Sequence, residues 1–195
     1  MGVVLRKEMT LAEFLAWEER REERYEFDGV RPVAMNGGSD PHEAIGGTLR
    51  ALLVDRLRGG ACRPRGPTMK IEVVGRIRYP DAFVYRTPAP PDQIVRDPVV
   101  VFEIISPSTS RTDRIAKLRE YQATDSIQRY VILEQDSIGA TVHVREGGRW
   151  TATALVEGDK LAMPEIGIEL TLAEIYRDVN LPVPDDRDDE YPAGR

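Results

Sequence analysis

The stretch VVVFEIISPSTSRTDRIAKLREY, residues 99–121, decides the fold of this chain. Its first seven residues are almost continuously apolar and rich in β-branched side chains, the pattern of a strand buried on both faces in the middle of a sheet. Ser106-Pro107-Ser108 then turns the chain, and the spacing beyond it predicts a helix over 111–123. RYVILEQ, residues 129–135, reads as a second buried strand. Glu103 is the one ionisable residue in the first strand. A buried carboxylate without a partner costs several kcal/mol, so this strand demands a cation or a hydrogen-bond network beside Glu103.

Toward the N-terminus, Thr10-Leu-Ala-Glu13 has the spacing of a capping box, and Leu11, Phe14, Leu15 and Trp17 supply an apolar face for a helix over about 11–23. YEFDGVRPVAM, 25–35, carries the turn signal Asp28-Gly29 between short extended segments and predicts a hairpin with Glu26 in its first strand. Asp40-Pro41-His42-Glu43 opens a further helix, with Asp40 as the expected N-cap. Ile45, Leu49, Leu52, Leu53 and Leu57 continue it to Gly59-Gly60. Gly46-Gly47 weakens that helix by about 1 kcal/mol per glycine against alanine, a cost that makes sense where close packing or a ligand needs the backbone.

MKIEVVG from Met69 and RIRYPDAFVYR from Arg76 read as strands. So do 141–145 and 150–156, a hairpin about Gly147-Gly148, before a second capping box, Thr171-Leu-Ala-Glu174, opens a terminal helix. This order implies an α/β (α+β) domain over 8–181, a central mixed sheet flanked by helices with an added hairpin. Residues 182–195 contain DDRDDE and read as a solvated, disordered tail.

A chain of 195 residues suits one domain. Its single cysteine, Cys62, rules out an internal disulfide and a cysteine-based metal cluster within one chain. The start, MGVVLRKEMTLAEF, lacks the apolar core of a secretory signal and no apolar run is long enough to span a bilayer, so no membrane and a cytoplasmic location are expected. The net charge of −6 gives little unspecific attraction to nucleic acid. Local cations remain: Arg56, Arg58, Arg63, Arg65 and Lys70 in one segment, and Arg111, Arg114, Lys117 and Arg119 in another.

Strand period places Asp81, Phe83 and Tyr85 on one face, and Val99, Val101, Glu103 and Ile105 on one face. Two acids on neighbouring strands suffice for Mg²⁺, whose remaining ligands are waters and substrate phosphate oxygens. Lys117 on the following helix would then orient the attacking water or stabilise charge on the phosphate. The same residues also fit a plainer reading. Asp113 and Lys117 have the i, i+4 spacing of a surface ion pair contributing about 0.2–0.5 kcal/mol, and any arginine could satisfy Glu103. No G-x-S-x-G elbow frames Ser106 or Ser108, which read as turn and cap residues.

YEFDG (25–29), DPHEAI (40–45), YPDAFVY (79–85), the 99–121 stretch and RYVILE (129–134) together resemble the Uma-type family of restriction endonucleases, within the PD-(D/E)xK nuclease superfamily. The resemblance covers residues 10–178 or so. It implies a restriction-endonuclease-like fold and a Mg²⁺ or Mn²⁺ site. Pro80-Asp81 matches the family's PD and Glu103 the acid of the second strand. Ile105 stands where the superfamily lysine usually lies, and Lys117 matches the family's displaced lysine. Glu26 matches an N-terminal acid that supplements the metal shell, while His42 and Tyr121 match further positions around the site. Taken alone, Glu26 also reads as a solvated strand residue, His42 as a surface residue and Tyr121 as a packing residue.

These readings lead to a metal-dependent endonuclease acting on DNA. Asp81, Glu103, Lys117 and Glu26 are its catalytic set, and Asp81, Glu103 and Glu26 its metal ligands. His42, Tyr121 and Asp113 support them. A homodimer would suit double-strand cleavage. The alternative is a catalytically inactive nucleic-acid-binding or assembly module that keeps the fold.

Overall fold

Residues 98–105 lie in the interior of a six-stranded sheet, as their sequence requires. The computed structural model describes residues 8–35, 37–88, 90–105 and 111–181, the side chains of 111–113 excepted. Strand β8 (Pro98–Ile105) is buried at every position. It pairs antiparallel with β6 (Ala82–Tyr85) on one side and parallel with β9 (Arg129–Glu134) on the other. Helix α3 (Arg111–Ala123) makes the crossover between β8 and β9 that a parallel pair needs. Beyond β9 the hairpin β10 (Gly139–Glu146)–β11 (Arg149–Val156) extends the sheet, and β3 (Arg63–Arg65) closes the other edge. Gly147 and Gly148 supply the two positive φ angles, 55° and 82°, that this two-residue turn requires.

A second, five-stranded sheet is built from the N-terminal half. Its order is β2 (Pro32–Ala34), β1 (Tyr25–Phe27), β5 (Arg76–Arg78), β4 (Lys70–Val73), β7 (Ile94–Val95). The hairpin expected at Asp28-Gly29 is present: Asp28 Oδ1 accepts from the amides of Val30 and Arg31, and Gly29 has φ 95°. RIRYPDAFVYR is divided between the two sheets. Arg76–Arg78 ends the hairpin with β4, and Tyr79-Pro80-Asp81 carries the chain across to β6. Strands β3 and β7 and the small hairpin β12 (Lys160–Met163)–β13 (Ile168–Thr171) were not expected from the sequence. They are two to four residues long, too short to show a period.

The layers are held by three apolar clusters. One packs helix α2 (Asp40–Arg56), through Ile45, Leu49 and Leu53, against Ala82, Val84, Val100, Phe102 and Ile104 of the large sheet. The second fills the other face of that sheet, where Phe83, Tyr85, Val101 and Ile105 meet Tyr121 of α3 and Ile71 and Val73 of the second sheet. The third covers the far side of the second sheet with Phe14 of helix α1 (Leu11–Glu18). The mixed α+β class and the flanking helices thus agree with the sequence.

Two boundaries differ from expectation. Helix α1 stops at Glu18 rather than near residue 23, because EERREER, 18–24, offers no apolar residue to bury. Ser39, not Asp40, caps α2, its hydroxyl accepting from the His42 amide. The capping box at Thr171 forms as read and opens the short terminal helix α4, Leu172–Ile175. The tail 182–195 and the turn 106–110 lie outside the described residues. Among those described, no helix is long and apolar enough to cross a membrane.

Candidate active site

Antiparallel pairing places Ala82 opposite Phe102, so the next residues outward, Asp81 and Glu103, come from neighbouring strands at one end of the large sheet. Their side chains share the face carrying Phe83, Tyr85, Val101 and Ile105, as strand period requires. In the second sheet Phe27 opposes Ile77 and both face α1, which turns Glu26 and Arg78 to the opposite side, toward α3. Helix α3 answers with Lys117, Glu120 and Tyr121, spaced i, i+3 and i+4 on one helical face. The site therefore forms where the large sheet, the second sheet and α3 converge.

Lys117 Nζ stands 3.3 Å from Glu103 Oε1 and 3.3 Å from Glu26 Oε1. It is the cation that the buried strand acid required. Tyr121 donates its hydroxyl to the same Glu103 oxygen at 2.6 Å. Glu26 is further held by the Tyr79 amide and by Arg78 at 3.0 Å, and Arg78 makes a bidentate pair with Glu120 at 2.7 and 2.8 Å. Asp81 accepts from the Ile104 amide through Oδ2 at 2.7 Å and faces His42 Nε2 through Oδ1 at 3.2 Å. Of the residues read from the sequence, Glu103, Lys117, Glu26 and Tyr121 share one set of contacts and Asp81 and His42 another, with the Ile104 amide, next to Glu103, bonded to Asp81. The side chain of Asp113 lies outside the described residues.

Burial pushes the Glu103 carboxyl up to about 7; the charges of Asp81 and Glu26 add to the rise, while Lys117 and the Tyr121 hydroxyl oppose it. Burial, and then the Glu103 charge, hold the Tyr121 phenol well above its ordinary value, so it remains a donor. The hydrogen bond to Asp81 raises the His42 imidazole against the opposing effect of burial. The Glu103 shift sets a direction for stability. Between its ordinary 4.5 and about 7 the folded state binds the proton that the unfolded state has released, so this group's contribution falls as pH rises. Relative to Glu103→Gln, the metal-free parent should lose melting temperature as pH climbs through that window. A difference that stays constant across it would show that Glu103 titrates normally.

Among the described residues no three of His, Cys, Asp or Glu are gathered into a ready metal cage. Glu26, expected among the ligands, spends its two oxygens on Lys117, Arg78 and the Tyr79 amide. The donor set still suits a hard cation. The hydrogen bonds to Glu103 among the described residues all fall on Oε1, and the negative charge of Asp81 disfavours ionisation of Glu103, an imbalance that a divalent ion would relieve.

Sequence reasoning missed Arg78 and Glu120, because neither stands out from other charged residues until the two sheets are packed. It also missed Arg50. The arm of Arg50 runs along α2, with Nη1 at 3.5 Å from the Asp81 carbonyl. The glycine pair 46–47 was the available signal: a Cβ on Gly46 would stand 2.8 Å from Arg50 Nη1.

The arrangement of helices about a mixed sheet is also seen in a solved structure. A crystal structure from Anabaena variabilis, described as a "putative nuclease belonging to DUF820", superposes with a TM-score of 0.72 at 16% identity, covering 86% of this chain and 97% of that one. The match is one of fold. The chain itself belongs to the Uma2 family, described as "putative restriction endonuclease", whose pattern matches residues 11–174. An uncharacterized protein of Synechocystis sp. is 32% identical over 170 residues, 85% of this chain and 90% of that protein.

Proposed function

We propose that the chain is a divalent-metal-dependent endonuclease that hydrolyses DNA phosphodiester bonds, with Asp81 and Glu103 holding Mg²⁺ or Mn²⁺. The observation that carries this reading is the half-buried ammonium of Lys117, 3.3 Å from Glu103, beside the second strand acid Asp81. A lysine held this way is screened little by solvent and is fixed in direction by two carboxylates. A divalent cation bound there supplies Lewis acidity and neutralises phosphate charge. Lys117 orients the attacking water. Glu26 holds Lys117, and assists the metal through water. Tyr121 and His42 fix the carboxylates of Glu103 and Asp81, and Asp113 is retained as a supporting residue on the same helix. A homodimer would place two such sites on a duplex, and a cytoplasmic location would bring the protein to DNA.

The test is cleavage of plasmid and linear duplex DNA with Mn²⁺ or Mg²⁺, alongside the melting temperature with and without Mn²⁺. Lys117→Ala should lower turnover by about a hundredfold, in the range of a positioned proton-handling group, while keeping the Mn²⁺-induced rise in melting temperature. Equal loss of both would make Lys117 a structural counter-ion.

A non-catalytic nucleic-acid-binding module is the second reading. It is favoured by the saturated Glu26 and by Ile105 at the usual lysine position. Such a protein would bind DNA with steep salt dependence even when divalent ions are chelated, and would cleave nothing.

A further inference from the structure

The cations of the segment 50–70 are not equivalent. Arg56 pairs with Glu174, Arg58 with Asp55, and Lys70 with Glu18, so each is already neutralised by a carboxylate. Arg50 makes no ion pair among the described residues. Among the described residues its guanidinium is hydrogen-bonded only to a neutral acceptor, the Asp81 carbonyl, at 3.5 Å, and the residue is half-buried. An arginine keeps its charge under all ordinary conditions, so a half-buried one facing a carbonyl retains unused donors and unspent charge.

The chain has also cleared space for this arm from two directions. A Cβ at Gly46, one turn earlier on α2, would stand 2.8 Å from Arg50 Nη1 and 3.3 Å from Ile104 Cδ1. A Cβ at Gly66, just beyond β3, would stand 2.5 Å from Arg50 Cδ. Gly46 has no positive φ to justify it and lies within a helix, where glycine is unfavourable. Both glycines leave room for the Arg50 arm. Arg50 also lies two helical turns beyond His42, which faces the Asp81 carboxylate, so one stripe of α2 contacts both the side chain and the backbone of Asp81. Beyond Gly66, Arg65 and Arg63 of edge strand β3 make no ion pair among the described residues, and they continue a track of uncompensated positive charge away from the acids.

We propose that Arg50, seated between Gly46 and Gly66 against the Asp81 carbonyl, binds a backbone phosphate of a nucleic-acid strand entering the candidate site. A planar guanidinium is matched to two phosphate oxygens at once, and the acids alone would repel the strand. The inference rests on the nuclease reading for the identity of the ligand, and adds the group that offsets the repulsion.

The experiment measures binding of a fluorescently labelled DNA duplex in Ca²⁺ over a series of salt concentrations. The parent is compared with Arg50→Gln, Arg50→Lys and, as control, Arg58→Ala. Arg50→Gln retains a polar arm of similar course and should bind about tenfold or more weakly. Its plot of log affinity against log salt should be shallower by about one unit, as expected for one lost phosphate contact. Arg50→Lys should restore the slope and part of the affinity. Arg58→Ala should match the parent. Melting temperature with Mn²⁺ monitors the fold and the acid site, which Arg50→Gln should leave unchanged. Should Arg50→Gln fail to fold, Arg50→Lys decides: parental slope with weakened affinity supports the contact, and unchanged affinity overturns it. Equal affinity and slope in Arg50→Gln and the parent would also overturn it. A parent that binds with this salt dependence but never cleaves would leave Arg50 standing and remove the nuclease reading. A parent that does not bind DNA would remove both.

Discussion

Glu103→Gln should abolish DNA cleavage and the stabilisation by Mn²⁺ while leaving the protein folded. Glutamine keeps the shape of the side chain and can still accept from Tyr121 and Lys117, which stand 2.6 and 3.3 Å from Oε1. What it loses is the charge that a hard cation needs. The expected loss of activity is at least about a hundredfold, since even the outer partners of metal ligands command 10- to 100-fold effects. The metal-free variant should melt no lower than the parent at neutral pH, because burial already disfavours ionised Glu103. Plasmid cleavage together with melting curves checks all three statements. Cleavage at the parental rate in Glu103→Gln would sink the assignment of Glu103 as a metal ligand.

Arg78→Ala should cost about 3–5 kcal/mol of stability, the range seen when one member of a buried charge network is removed. Arg78 is only 4% exposed and is the common cation of Glu26 and Glu120, themselves 8% and 6% exposed. Its removal leaves Glu120 with Arg76 at 3.2 Å and Glu26 with Lys117. The cost has a functional side. Freed of Arg78, Glu26 would draw Lys117 toward itself and away from Glu103, so turnover should fall further than the folded fraction does. Chemical denaturation gives the first quantity and cleavage per folded molecule the second. Replacing Arg78 and Glu120 together by Met and Leu should recover much of the lost stability, because no unpaired charge then remains at that pair. Stability unchanged in Arg78→Ala would mean that water already reaches the network.

Much of the fold was legible because its strongest signals are local. The apolar run 99–105 can only be a central strand, the helix 111–123 follows from its turn and spacing, and the hairpins at Asp28-Gly29 and Gly147-Gly148 follow from turns that need positive φ. The demand of Glu103 for a cation was equally a property of the sequence, since burial of a charge in such a run has a known cost. Period two placed Asp81 with Phe83 and Tyr85, and Glu103 with Val101 and Ile105, before any pairing was known. The division of RIRYPDAFVYR between two sheets was not legible, because a strand's period does not say which sheet it joins.

The sequence by itself determined that a strand acid would be buried and need a partner, and it offered Lys117 on the following helix as one candidate. Only the tertiary structure decided that Lys117 also reaches Glu26, that Arg78 and Glu120 sit behind it, and that Arg50 is laid against Asp81 between Gly46 and Gly66. Arg78 and Glu120 lie 42 residues apart in the chain, and Arg50 and Asp81 31. Side-chain periodicity reports which face a residue occupies. Which other face it meets is set by the packing of whole layers, and that is where the charges of this site find one another.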